Sequence, residues 1–313
     1  MPDLRVTLGS LTLANPILAA AGTFGYGVEF SRAVRLERLG ALITKTLTLQ
    51  PRAGYPPPRV VDTPAGMLNA VGLQNIGLEA FLREKLPELR RYRVPVIVSL
   101  LGESVEEVAG MSRTVDGSDG VAAVELNLSC PNLERGRGGE DGRRVSLVAH
   151  APEAVAAMVA AARRATRKPI LAKLSPDVTD LVPVARAAER AGAEALTIGN
   201  TFVGMSLDPT TRRSRLGTAT GGLSGPAIRP LAVYRVWYTA QSVSLPIIGV
   251  GGIVRAEDAI EFFLAGASAI AVGTANFADP AAPLRVLKGV TRYLKRHQLQ
   301  SLHELRGAFR ADA

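Results

Sequence analysis

The sequence predicts an α/β fold: a closed (β/α)8 TIM barrel with an N-terminal β-hairpin and long loops on its top face. Three observations predict it. Short β-branched or apolar runs alternate with longer Ala-, Glu- and Arg-rich stretches, the pattern of parallel strands separated by covering helices. Eight such strand–helix units fit within 313 residues, a span that one α/β barrel commonly occupies. The first strand-to-helix turn, AAGTFGYG (20–27), has a Gly-x-x-Gly-x-Gly order, not the Gly-x-Gly-x-x-Gly of a dinucleotide-binding turn.

Ahead of the first unit, LRVTLGSLTLANP (4–16) alternates apolar and polar residues around Gly9-Ser10, a hairpin suited to plugging the barrel bottom. Strands are expected near Pro16–Ala20, Ala41–Lys45, Pro95–Leu100, Ala122–Leu128, Pro169–Leu174, Ala195–Ile198, Pro246–Val250 and Ala269–Val272. VPVIVSL, KPILAKL and LPIIGVGG open behind a proline, which can begin a strand without forfeiting an interior ladder bond. Helix is expected over Ala151–Thr166, with Pro152 in its first turn. Asp180–Ala191 and Ala256–Ala265 place carboxylates near their starts, where the helix dipole favours them. AGAEALTIGN (191–200) and AGASAIAVGT (265–274) echo each other as repeated units, each with a helix-ending Ala-Gly before a buried strand. Thr46–Asn75, Ser129–Ala149 and Asn200–Gly222 are too long for simple turns. All three follow strands, so they gather over the carboxyl-terminal face, where barrel active sites sit. No linker is evident, and residues 1–313 read as one domain.

With 47% hydrophobic and 21% charged residues, wholesale disorder is excluded. No apolar run approaches the roughly 18 residues of a membrane span and no signal-peptide pattern opens the chain, so a soluble cytoplasmic protein is expected. The single cysteine, Cys130, excludes an intrachain disulfide and any iron–sulfur cluster held by several thiolates of this chain. A net charge of +9 is compatible with nucleic acid, anionic lipid or acidic small substrates. Its densest pieces, Arg163, Arg164, Arg167 and Lys168, then Arg212, Arg213 and Arg215, lack interleaved aromatics and read as solvated faces. His150, His297 and His303 are scattered and no P-loop occurs, which argues against Ser-His-Asp catalysis, zinc chemistry and nucleotide hydrolysis; no metal is expected.

Chemistry is signalled at the strand ends. GVGG (249–252) and VGTA (272–275) expose backbone amides after the last two strands, a phosphate cradle in barrels. Lys45 in LITKT and Lys173 in LAKLS end strands, where an ammonium must pair with a carboxylate such as Glu125 or serve a ligand. Together over the cradle they suggest an anionic cofactor whose reduced form is stabilised as an anion. Cys130 opens a top-face loop in ELNLSCPN (125–132), and with an unperturbed thiol pKa of about 8.5 it is open to both nucleophile and base roles. Asn69, Asn75, Asn127, Asn132 and Asn200 recur on the same face, and amides suit a ring with alternating carbonyl and N–H groups, such as a pyrimidine.

The chain resembles the dihydroorotate dehydrogenases, and within them the class 1B catalytic subunit, over nearly its whole length. The carrying motifs are NPILAAAGTFGYG (15–27), ITKTLT (43–48), PPPRVVDTPAGMLNAVGLQN (56–75), VELNLSCPN (124–132), KLSPDVTD (173–180), TGGLSGPAIRP (220–230), PIIGVGGI (246–253) and VGTANF (272–277). The resemblance implies a flavoprotein oxidoreductase with one FMN that oxidises dihydroorotate to orotate in pyrimidine biosynthesis. It implies that Cys130 removes the C5 proton while hydride passes from C6 to the flavin. By the same likeness Lys45, Asn69, Val71, Gly72, Leu73, Asn127, Asn132, Asn200 and Thr201 match substrate positions. Ala21, Lys45, Thr46, Ser99, Asn127, Lys173, Gly199, Gly225, Gly251, Gly252, Gly273 and Thr274 match flavin positions. Class 2 relatives use serine where Cys130 stands and carry a membrane extension. The resemblance further implies a homodimer core and a partner subunit that carries FAD and a [2Fe–2S] cluster, in a heterotetramer passing electrons to NAD. The loop NLERGRGGEDGRRVS (132–146) departs from the Gly-Gly-x-x-Phe-Gly stretch of relatives, and Gly199 and Ser99 replace a bulkier apolar residue and an asparagine. Three alternatives share parts of this pattern: a fumarate-using class 1A-type enzyme, a flavin-dependent tRNA dihydrouridine synthase, and a basic barrel acting as a binding subunit.

Overall fold

The computed structural model describes residues 2–129 and 147–310. Eight strands form the barrel: Ile17–Ala19 (β1), Ala41–Ile43 (β2), Val96–Leu100 (β3), Val121–Asn127 (β4), Ile170–Leu174 (β5), Ala195–Ile198 (β6), Ile247–Val250 (β7) and Ala269–Val272 (β8). They pair in parallel in chain order, and β8 returns to β1 to close the ring. Each lies within a residue or two of its expected span. The expected opening prolines stand just outside the strands because they lack the N–H that a strand residue donates. Their carbonyls still begin the ladder: Pro16, Pro95, Pro169 and Pro246 accept from Ile270, Leu42, Val124 and Leu196 at 2.9, 2.9, 2.9 and 3.0 Å.

The two-residue period of the strands sorts their side chains. Outward residues such as Val96, Val98, Leu126, Ile170 and Ile270 pack in the main core with the covering helices. Inward residues are apolar low in the barrel, where Leu18, Ile43, Ile97, Ala123, Leu171, Ile248 and Ala269 meet Val6, Leu8 and Leu13 of the N-terminal hairpin. That hairpin, Val6–Leu8 paired with Leu11–Leu13, turns at Gly9 with φ of +62° and plugs the bottom as expected. Ser10 secures it, donating through its backbone N–H (2.8 Å) and its hydroxyl (2.5 Å) to Glu194, which precedes β6 and also pairs with Arg163 at 2.8 Å. Higher in the barrel the same inward phase carries Ser99, Glu125, Asn127, Lys173 and Thr197, all under 9% exposed. A polar floor therefore sits on an apolar plug.

The helices follow the expected signals. Pro152–Ala165 has its proline in the first turn. Val182–Arg190 starts two residues after Asp180, whose carboxylate accepts from the Val182 N–H at 3.0 Å. Ala256–Leu264 is capped by Asp258, which accepts from the Val254 and Arg255 N–H groups at 2.8 Å each. Two of the long connections do more than loop. Val60–Thr63 and Gly66–Asn69, after β2, join Gly221–Ser224 and Phe202–Gly204, after β6, in a four-stranded antiparallel sheet that roofs the carboxyl-terminal face. Most of the third long connection lies outside the described residues. Among the described residues no helix is long and apolar enough to cross a membrane.

Candidate active site

Between the polar floor and the antiparallel roof lies a cleft of about 1210 Å³, its open mouth included. The floor is made by strand ends: Ala21 after β1, Lys45 and Thr46 after β2, Asn127 on β4, Lys173 on β5, Asn200 and Thr201 after β6, Gly251 and Gly252 after β7, and Gly273 and Thr274 after β8. The roof adds Asn69, Val71, Leu73 and Gly225.

Lys173 is 6% exposed, and its side-chain ammonium has no hydrogen-bond or ion-pair partner among the described residues. The carboxylate expected as a possible partner, Glu125, instead accepts from the Ser99 hydroxyl at 3.2 Å and the Thr197 hydroxyl at 3.0 Å. A buried ammonium without a partner is costly unless a ligand completes it. Lys45 is half-buried, and burial pushes its ammonium below the ordinary lysine range; the positive charge of Arg59 adds to this, while Glu29 opposes it.

The backbone supplies the cradle. Gly225, Gly251 and Gly252 hold φ values of +93°, +138° and +69°, a region L side chains rarely adopt. An added Cβ on Gly252 would also sit 2.9 Å from the Gly225 carbonyl oxygen. Gly273 differs. Its nearest neighbour to an added Cβ is 3.8 Å away, so packing within the chain does not demand a glycine, and the space it leaves belongs to the cleft. A paired glycine cradle and an orphaned buried ammonium on one floor fit a phosphate-bearing anionic cofactor.

The amides are held rigidly. Asn127 donates to the Thr46 hydroxyl at 3.0 Å and accepts from the Ser129 N–H and hydroxyl at 3.3 and 3.0 Å. Asn200 donates to the Ser129 carbonyl and hydroxyl at 3.3 and 2.7 Å and accepts from the Thr201 N–H at 2.8 Å. Asn69 donates to the Gly222 carbonyl across the roof at 3.3 Å. Asn75 is a turn-building amide instead. It is 5% exposed, accepts from Gly77 at 2.8 Å, donates to Thr48 and Leu73 at 2.9 and 2.8 Å, and does not line the cleft.

Three other candidate positions stand back from the cleft surface. Ser99 is fully buried beneath Thr46. Gly199, with φ of +123°, lies where an added Cβ would collide with the Val250 carbonyl, which accounts for glycine there. Gly72, with φ of +70°, packs against Tyr55 behind the roof. Cys130 and Asn132 lie outside the described residues. Sequence reasoning passed over Thr23, Met67, Ser224, Ile228 and Phe277, which also line the cleft. Met67 and Ser224 carry no chemical signal, and only the pairing of two distant roof strands brings them in. Among the described residues no three His, Cys, Asp or Glu side chains cluster to hold a metal ion.

Comparison with known proteins bears on this cleft. The family model described as dihydroorotate dehydrogenase matches residues 3–294. The chain is 48% identical to "Dihydroorotate dehydrogenase B (NAD(+)), catalytic subunit" of Geotalea daltonii, over 99% of each chain. Proteins of the same name from Thermodesulfovibrio yellowstonii and Geobacter sulfurreducens are 46% and 48% identical, covering 99% and 98% of this chain and 100% and 98% of theirs.

Proposed function

The chain belongs to the dihydroorotate dehydrogenase family, and from that premise we propose that it is the catalytic subunit of an NAD-linked enzyme oxidising dihydroorotate to orotate in pyrimidine synthesis. The observation that carries the reading is the unpaired, buried Lys173 ammonium on a floor shared with the glycine cradle and the amides Asn127 and Asn200. FMN, when bound, supplies the acceptor for the hydride leaving C6 of the substrate. Lys173, Thr46, Gly225, Gly251, Gly252, Gly273 and Thr274, with Ala21, would hold it, and Ser99 and Gly199 support that floor from behind. Lys45 pairs with the substrate carboxylate, while Asn69, Asn127, Asn132, Asn200 and Thr201 orient the ring, with Val71 and Leu73 over it and Gly72 shaping the backbone between them from behind the roof. Cys130, as thiolate, takes the C5 proton, so that one proton and one hydride leave adjacent carbons and a double bond forms between them.

In this reading electrons leave through a [2Fe–2S] centre, which another chain must carry, because such a centre needs four ligands and this sequence has one cysteine. The reading therefore includes a partner subunit with FAD and the cluster around a homodimeric core in the cytoplasm, each chain contributing one FMN-binding domain. Steady-state turnover tests it: dihydroorotate oxidation coupled to NAD only when the iron–sulfur subunit is added supports the reading. Equal turnover with fumarate and no partner overturns its NAD-linked part.

The depressed Lys45 has a pH consequence. Its charge disappears as pH rises through a value below the ordinary 10.5 of lysine, so affinity for the orotate anion falls on the alkaline side. Orotate titrations of the holoenzyme across alkaline pH measure this. Lys45→Gln is expected to bind about tenfold more weakly at neutral pH and to lose that alkaline dependence.

A further inference from the structure

Beneath the cleft, a chain of hydrogen bonds runs from a buried carboxylate to the amides that line it. Glu125 is 0% exposed and does not reach the cleft surface. As a carboxylate it only accepts, so the Ser99 hydroxyl spends its single hydrogen on it at 3.2 Å. Ser99 must then accept from Thr46 at 3.0 Å, and Thr46, its own hydrogen committed, accepts from the Asn127 amide nitrogen at 3.0 Å. With its NH2 group turned to Thr46, Asn127 directs its carbonyl at Ser129, whose hydroxyl donates at 3.0 Å and in turn accepts from Asn200 at 2.7 Å. The directions of the Ser99 and Thr46 hydroxyls follow from the first link, and they agree with the backbone groups that orient the two amides: the Ser129 N–H donates to Asn127 at 3.3 Å and the Thr201 N–H to Asn200 at 2.8 Å. Asn127 is left with one free N–H for the cleft and a doubly occupied carbonyl. Both N–H groups of Asn200 go to Ser129, so its carbonyl keeps the spare lone pair.

We propose that Glu125 is a positioning residue that reinforces the polarity of the substrate site, turning the Thr46 hydroxyl to accept from Asn127 so that Asn127 is held as a donor beside the acceptor Asn200, for a ring that presents a carbonyl beside an N–H. The inference rests on the pyrimidine reading of the cleft and deepens it. A neutral glutamine at 125 offers Ser99 an N–H as readily as a carbonyl. The hydroxyls can then reverse, which sets the Thr46 O–H against the Asn127 N–H and leaves that amide held only from the Ser129 side, loosened against the ring.

The test is orotate binding to FMN-loaded protein, read from the perturbation of the flavin absorbance, with thermal melting as a control. Glu125→Gln is expected to keep its flavin and to bind orotate at least tenfold more weakly. Ser99→Ala, which breaks the next link, is expected to reproduce that loss, and the double variant to lose no more than either single one, because both cut one chain. Thr197→Val removes the other donor to Glu125 but leaves the chain toward Asn127 intact, so it should stay within about threefold of wild type. Unchanged affinity in Glu125→Gln, or additive losses in the double variant, would overturn the proposal. If Glu125→Gln does not fold, Ser99→Ala decides in the same way: a tenfold loss supports the relay and unchanged affinity overturns it. Wild-type holoenzyme that ignores orotate would overturn the pyrimidine reading and this inference with it, whereas a binding wild type with an equally binding Glu125→Gln overturns this inference alone.

Discussion

Cys130→Ser is expected to slow reduction of the bound flavin by dihydroorotate by about 10²- to 10⁴-fold, the range that a positioned general base contributes. Orotate affinity should stay near wild type, since the two side chains differ little in size and neither is asked to anchor the ring. The difference is acidity. A thiol with an ordinary pKa near 8.5 is partly ionised around neutral pH, and nearby positive charge increases that fraction. A serine hydroxyl keeps its proton over the same range. The wild-type rate should therefore climb with pH as thiolate forms, and the serine variant should show no such rise below the alkaline limit. Stopped-flow absorbance under anaerobic conditions separates the two quantities, because the flavin reports the chemical step before any acceptor is added. An unchanged rate in Cys130→Ser would remove the cysteine from the chemistry.

Lys173→Met is expected to move stability and cofactor affinity in opposite directions. In the protein without cofactor, Lys173 is a largely buried lysine whose ammonium faces the cleft with no protein partner among the described residues, so its partial desolvation is not offset by a protein charge or hydrogen bond. Methionine fills a similar volume without that cost, so the variant apoprotein should melt at a higher temperature than wild-type apoprotein. Binding suffers in return. A hydrogen bond to a charged group contributes about 1.5–3 kcal/mol, which predicts flavin affinity reduced by about 10- to 100-fold. This is the trade expected where a site is built for a ligand at the expense of the fold. Flavin fluorescence titration and apoprotein melting measure both arms. A less stable apoprotein with unchanged flavin affinity would make Lys173 a structural residue.

Much of this architecture was legible in the sequence because its signals are local. Each barrel strand carries its own apolar run and several carry an opening proline, so the eight spans and the plug around Gly9-Ser10 could be read one at a time. Lys45, Lys173 and Asn127 stood out as polar residues at the ends of apolar strands. The roof was not legible, since Gly66–Asn69 is four residues long, contains glycine, and finds its partner Gly221–Ser224 some 150 positions later. Nothing local announces such a pairing. Asn75 shows the converse difficulty: an asparagine that closes a turn and one that meets a ligand look alike until their hydrogen bonds are known. Glu125 was visible as a buried carboxylate, but its commitment to Ser99 and Thr197 rather than to a lysine depends on the barrel's register and closure.

The most direct measurement is the anaerobic absorbance spectrum of the purified, FMN-loaded chain before and after addition of dihydroorotate. The account predicts that the yellow flavin bleaches at a rate set by Cys130, with orotate as the product. Flavin that stays oxidised in the presence of saturating dihydroorotate would contradict it.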